Sequence, residues 1–121
     1  MDGWAGYRRT LGGRGEDLAA VFLRSAGMRV VDRNWRSPSG EIDIVARDGP
    51  VLVVAEVKTR TSVRYGHPVD AITPDKRRRL RRLGRAWAAR HRVPAPSLRV
   101  DGVCVLITGG RVFVSHERGM A

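Results

Sequence analysis

At 121 residues the chain is long enough for one domain with its own core and too short for two. Its single cysteine, Cys104, excludes an intrachain disulfide and a cysteine-rich zinc cluster, and its longest aliphatic run, residues 51–55, is too short to span a bilayer. A net charge of +11 and a pI near 11.5 predict attraction to a polyanion, nucleic acid before an acidic membrane surface.

Residues 1–13 mix glycine with Trp4, Tyr7, Arg8 and Arg9 without periodicity and read as a flexible arm. A single domain is expected over 14–115, with a tail over 116–121. No apolar leader segment opens the chain, so a cytoplasmic location is expected. Residues 14–27 read as a helix whose apolar stripe is Leu18, Ala19, Phe22, Leu23 and Ala26, with Gly27 suited to its C-terminal cap. At about 100° per residue, Glu16 falls on the border of that stripe and Asp17 faces away. The stripe lacks the basic flank of a membrane-surface helix.

Residues 28–35 read as a strand, and Arg36-Ser37-Pro38-Ser39-Gly40 as a turn. Two Val- and Ile-rich runs follow, Gly40-Glu41-Ile42-Asp43-Ile44-Val45-Ala46 and Val54-Ala55-Glu56-Val57-Lys58, around Arg47-Asp48-Gly49-Pro50. They read as a hairpin. Alternation puts Glu41 with Asp43 and Glu56 with Lys58. Closure with Ala46 opposite Val51 sets Glu41 against Glu56 and makes Asp43 and Glu56 diagonal neighbours, about 7 Å apart at the backbone. Carboxylates inside apolar sequence are costly unless paired or metal-bound. The patch therefore reads as a divalent-metal site beside a lysine, against the competing reading of a cross-strand salt bridge.

After a polar loop, Thr73 and Pro74 read as the N-cap and first position of a second helix. From residue 74 to 92 it carries nine Lys or Arg against Asp75 alone, a net of +8. Leu80, Leu83, Gly84 and Trp87 form its buried face, with Lys76 one turn earlier on the same side. Arg77, Arg78, Arg81, Arg82 and Arg85 spread over the flanks and outer side. Charge of one sign repels itself at i, i+4 spacing, and a phosphate backbone would relieve it. Residues 98–107 and 112–115 read as two further strands, with Cys104 a small buried hydrophobe. His67, His91 and His116 show no metal-ligand spacing and are expected at the surface or in loops.

The order of these parts, a helix with Glu, a strand with Asp, a strand with Glu-x-Lys and a basic helix, resembles the PD-(D/E)xK nuclease superfamily. More narrowly, the chain resembles the YraN family, uncharacterised proteins similar to archaeal Holliday-junction resolvases. The matching blocks are Gly15-Glu16-Asp17-Leu18-Ala19, Asn34-Trp35-Arg36, Gly40-Glu41-Ile42-Asp43, Glu56-Val57-Lys58-Thr59-Arg60, Gly66-His67-Pro68 and Lys76-Arg77-Arg78-Arg79-Leu80. Ile42 stands where the superfamily name has proline, and Arg99-Val100-Asp101 where the family has Arg-Phe-Asp.

The resemblance implies a restriction-endonuclease-like α/β/α sandwich with a mixed sheet and metal-dependent DNA cleavage leaving a 5′-phosphate. Asp43 and Glu56 would hold Mg²⁺ or Mn²⁺, with the Val57 carbonyl completing the set and Glu41 as a further ligand or orienting group. Lys58 would position or deprotonate the attacking water, Glu16 would bind water on the metal, and Lys76 would contact phosphate. Branched or structured DNA is the expected substrate, and charge alone does not separate DNA from RNA. Symmetric cleavage of a four-way junction would require two active sites and hence a homodimer. The rival is a non-catalytic nucleic-acid-binding module on the same fold.

Overall fold

The computed structural model describes residues 11–61 and 72–120. The first ten residues, with Trp4, Tyr7, Arg8 and Arg9, lie outside the described residues, as do Gly66-His67-Pro68 and Ala121. The described elements are α1 Leu11–Ser25, β1 Arg29–Ser37, β2 Gly40–Asp48, β3 Val51–Arg60, α2 Pro74–Arg90, β4 Leu98–Thr108 and β5 Arg111–Glu117. The strands form one sheet in the order β1-β2-β3-β4-β5. β3 and β4 are parallel, joined by a crossover through α2, and the other neighbours are antiparallel.

One helix covers each face, which makes an α/β/α sandwich. Ala19, Ala20 and Leu23 of α1 pack with Ile44, Ala46, Val53, Ala55, Val103 and Val105. Leu80, Leu83, Trp87 and Ala88 of α2 pack on the other face with Ile42, Val45, Leu52, Val54 and Val100. β3 thus feeds both cores by alternation, which explains why residues 51–55 are continuously apolar. At Gly84 a Cβ would come within 2.6 Å of Val54, so only glycine lets α2 lie this close to the sheet. Trp87 donates from Nε1 to Asp32 on β1 at 2.7 Å and stacks on His91, which anchors the far end of α2.

The second helix starts where its chemistry dictates. Thr73 caps it by accepting from the Lys76 N–H at 3.1 Å, and Pro74 opens its first turn. α1 starts three residues before the expected Arg14 and ends before Gly27, at φ 94. Within α1, Ala20 joins the core, while Ala26, just past the helix end, is exposed. No described helix is long and apolar enough to cross a membrane.

Further expectations are corrected along the sheet. The β2–β3 hairpin closes with Asp48 opposite Val51 and Ala46 opposite Val53, two residues from the register read from sequence. The turn is only Gly49-Pro50, with Gly49 at φ 60 allowing the tight reversal. A shift of two preserves every face. His116 is not a surface residue: its side chain is 7% exposed and its Nε2 lies 2.8 Å from Asp101. β5 continues to Glu117, and Met120 beyond it is buried, with its N–H on the Val100 carbonyl at 2.8 Å.

Asp101 organises that end of the molecule. It is fully buried and accepts from Arg99 Nε at 2.8 Å, Arg99 Nη2 at 3.0 Å and the Gly119 N–H at 2.9 Å. Arg99 also reaches Asp48 at 2.9 Å. Arg99-Val100-Asp101 therefore ties β4 to β5, to the β2 end and to the C-terminal residues.

Candidate functional site

The site forms where β2 and β3 part company. Their ladder runs from Asp48↔Val51 to Ile44↔Ala55 and stops, although both strands continue. Ile44 packs on the α1 side and Ile42, two residues earlier, on the α2 side. Strict alternation would put both on one face, so β2 turns over at Asp43. The facing stretch of β1 holds Asn34 at φ 55, a residue type that tolerates this conformation. The opened ladder leaves the Val57 N–H without a β2 carbonyl, and the Asp43 carboxylate accepts it at 2.8 Å. A strand residue directs its N–H and C=O to the same side, so the Val57 carbonyl shares that edge with Asp43.

Asp43, Glu56, Glu41, Lys76, Arg79, Gly40, Leu80 and Leu83 line one cavity of about 210 Å3. Glu56 is 8% exposed. Its Oε1 lies 3.0 Å from Lys76 Nζ and 3.6 Å from Lys58 Nζ. Lys76 reaches from the first turn of α2 because its spacing from Leu80 and Leu83 puts it on the inward stripe. Glu41, on the rim, is largely exposed and pairs with Arg36 Nε at 3.3 Å.

The charges reshape each other. Burial, then the neighbouring Glu56 carboxylate, raises the Asp43 pKa from 3.8 to about 7, against the opposing Val57 hydrogen bond; Glu16 and Glu41 push it further up. Lys58 is lowered, chiefly by burial and also by the adjacent Lys76 ammonium, while Glu56 resists the shift. Burial would lower Lys76 as well, but the hydrogen bond and charge of Glu56 outweigh it and its pKa is raised. The two lysines thus diverge around one carboxylate.

Glu16 does not line the cavity. It is 3% exposed on α1 and accepts from Arg33 Nε at 3.1 Å and Asn34 Nδ2 at 2.8 Å, close enough for its charge to act on Asp43. Asp17, expected to face away, shares Arg33 at 2.8 Å. Among the described residues no three His, Cys, Asp or Glu side chains converge to hold a metal by themselves.

The basic residues divide by position. Arg78, Arg81, Arg82 and Arg85 are exposed and stay outside the cavity, while Arg77 is half-buried and donates to the Ile72 carbonyl at 3.4 Å. Arg78 pairs with Asp75. Arg79 is the residue the sequence reading passed over. It lines the cavity three residues after Lys76, a spacing that shares a helix face and could have identified it. Sequence reasoning gives no role to Arg33 and names Asn34 only within a matching block, although both hold Glu16; an Asn inside a strand is their signal.

Residues 15–105 match the family described as "Uncharacterised protein family UPF0102". A UPF0102 protein of Paenarthrobacter aurescens (strain TC1) is 58% identical over 111 residues, covering 91% of this chain and 92% of its own. One of Arthrobacter sp. (strain FB24) is 57% identical over 111 residues, covering 91% and 94%. One of Streptomyces griseus is 52% identical over 116 residues, covering 94% and 98%. With identity this high across nearly the whole of each chain, the protein belongs to the UPF0102 family.

Proposed function

We propose that this protein is a metal-dependent endonuclease that hydrolyses phosphodiesters in branched or otherwise structured DNA. The observation that carries the reading is the convergence of Asp43, Glu56 and Lys76 on one cavity at the opening of the β2–β3 ladder. The donors suit a hard cation: two carboxylates with raised electrostatic tension and a backbone carbonyl on the same edge. Mg²⁺ keeps several waters and uses one or two carboxylates plus substrate phosphates, so a site without a third converging side chain fits it. Asp43, Glu56 and the Val57 carbonyl would hold Mg²⁺ or Mn²⁺, which supplies Lewis acidity at the phosphoryl oxygen and makes water more acidic.

The chain's own residues do the rest. Lys58, its pKa lowered by burial, takes up or relays the proton of the attacking water and offsets charge that grows in the transition state. Lys76 and Arg79, on the opposite wall, grip a non-bridging phosphate oxygen. Glu41 orients water at the rim. Glu16, held rigid by Arg33 and Asn34, keeps the potential at Asp43 negative and so favours a cation. The exposed arginines of α2 track the nucleic-acid backbone.

The test is incubation of the protein with labelled linear, flap and four-way-junction DNA, and a matching RNA, with and without Mn²⁺. Cleavage that needs the metal and leaves 5′-phosphates is expected. Tight binding with no cleavage of any substrate would favour the non-catalytic binding module. That alternative has one observation on its side: Glu56 already sits in an ion pair with Lys76.

Lys58→Ala is expected to lose about 10²–10³-fold in rate, the usual cost of one transition-state contact, while Mn²⁺ still binds by calorimetry. Loss of Mn²⁺ binding in a folded Lys58→Ala variant would overturn this division of roles. Replacing Arg78, Arg81 and Arg85 together should flatten the salt dependence of duplex binding by about two to three units of slope, at roughly 0.9 per phosphate contact. The loss should be equal across sequences, since phosphate contacts position a protein without reading bases. An unchanged slope would remove α2 from the interface.

A further inference from the structure

We propose that two copies of this chain pair edge to edge through β5, in a register centred on Val114, to form one continuous ten-stranded sheet. β5 ends the sheet and, among the described residues, pairs only with β4. α2 packs over β2, β3 and β4, and on β5 Phe113 is 51% exposed and Val112, on the opposite face, 44%. An apolar edge strand is a template for another strand unless something protects it. Between the charges at its two ends, Arg111 and Glu117, β5 contains no proline, and its register with β4 runs without a bulge from Thr108↔Arg111 to Gly102↔Glu117.

The strand complements itself. Antiparallel pairing about Val114 sets Arg111 of each copy opposite Glu117 of the other, so both ends of the seam carry a charge pair. Val112 meets His116, Val114 meets Val114, and Phe113 meets Ser115 with the two Phe113 rings diagonal across the axis, a spacing that aromatic side chains bridge. Neighbouring registers fail on one count or another. A two-residue slip puts Arg111 against Ser115 or Gly119 and loses both charge pairs.

Backbone direction selects the same register. Gly109 at φ 56 and Gly110 at φ 73 make a two-residue turn with both central residues at positive φ. In such a turn the Thr108 carbonyl accepts the Arg111 N–H. Residues 111, 113, 115 and 117 therefore direct their backbone groups at β4, and 112, 114 and 116 direct theirs outward. About Val114, outward residues meet only outward residues. A one-residue slip would set outward groups against inward ones and form no ladder.

The axis of such a pair stands perpendicular to the sheet, so both α2 helices and both cavities lie on the same face. Each cavity is three strand spacings from the axis, which separates the two by roughly 29 Å across the sheet. The pairing does not depend on what the cavity does, and its tests contain no nucleic acid.

Sedimentation equilibrium of the full chain is expected to give twice 13.4 kDa at high micromolar concentration. Moderate salt should strengthen the pair, because it screens the repulsion between two strongly cationic copies. Val114→Cys should form a disulfide-linked dimer under mild oxidation, since a hydrogen-bonded antiparallel pair sets Cα atoms about 5.5 Å apart, within disulfide reach. Arg111→Cys should not, because its symmetry mate would lie roughly 20 Å away. Cys104 is buried, so the parent gives the background. Arg111→Glu should weaken association at least tenfold, and adding Glu117→Arg should restore it. A monomer at every concentration, cross-linking of Arg111→Cys equal to that of Val114→Cys, or a double variant as weak as Arg111→Glu would each overturn the proposal.

Discussion

Asp43→Asn should raise the melting temperature of the metal-free protein at pH 8 while removing its metal-dependent cleavage. The folded Asp43 pKa stands near 7 against 3.8 for the free side chain. Between those values the folded state keeps a proton that the unfolded state releases, so stability falls as pH rises through this window and stays low above it. At about 1.4 kcal/mol per pKa unit the full penalty is on the order of 4 kcal/mol. Asparagine carries no charge to desolvate and still offers an oxygen to the Val57 N–H.

The gain should be on the order of 10 °C at pH 8 and vanish only below about pH 3, under the free value of 3.8, where Asp43 is protonated in both states. Saturating Mn²⁺ should shrink the difference by stabilising the parent, because a ligand of the folded state shifts the equilibrium toward it. Cleavage should drop by about 10³-fold, the equivalent of several kcal/mol of lost transition-state stabilisation. In the parent, Mn²⁺ affinity should weaken as pH falls below 7 and the cation competes with a proton. Thermal melts at pH 8 and pH 3, the former with and without Mn²⁺, and a cleavage assay decide the matter. A variant that melts lower than the parent at pH 8 or cuts at the parental rate would remove Asp43 from the site.

The largest structural loss is expected at Asp101. Asp101→Ala leaves Arg99 and His116 facing an empty space in the interior, and breaking a buried ion pair by removing one partner typically costs about 3–5 kcal/mol. Burial alone would raise the Asp101 pKa, but hydrogen bonds from His116, Arg99 and the Gly119 N–H reverse this and hold it at about 2. The folded value lies below 3.8, so its contribution is present above pH 4 and disappears as pH falls through 2. By the same linkage this pH-dependent part is on the order of 2 kcal/mol.

Urea denaturation at pH 7 should therefore show a reduced midpoint in Asp101→Ala. The acid limb between pH 4 and pH 2 should be shallower in Asp101→Asn than in the parent. A loss below about 1 kcal/mol in the alanine variant, within the range of an exposed pair, would show that the network does not hold the C-terminal residues to β4.

The periodicities determined the elements. Alternation in residues 54–58 and from Asp43 to Ala46, the 3.6-residue stripe over Leu80, Leu83 and Trp87, and the Thr73-Pro74 start survive into the structure because each is a local rule about where one side chain points, whereas alternation across Ile42 and Ile44 does not. The same rule placed Lys76 inward with Leu80 and put Asp43 and Glu56 on one face.

What local rules could not determine is where two strands stop pairing. The hairpin register depended on whether the turn used two residues or four, and the cavity depends on the ladder ending at Ile44↔Ala55 while β2 turns over beside Asn34. Those events follow from two cores competing for the same strand, with Ile44 drawn to α1 and Ile42 to α2. The partners of Glu16 and Asp101 were equally out of reach of sequence. Arg33 and Asn34 lie 17 and 18 residues from Glu16, and His116 and Gly119 lie 15 and 18 from Asp101. A buried carboxylate announces that it needs donors, but only the folded sheet brings those donors within hydrogen-bonding distance.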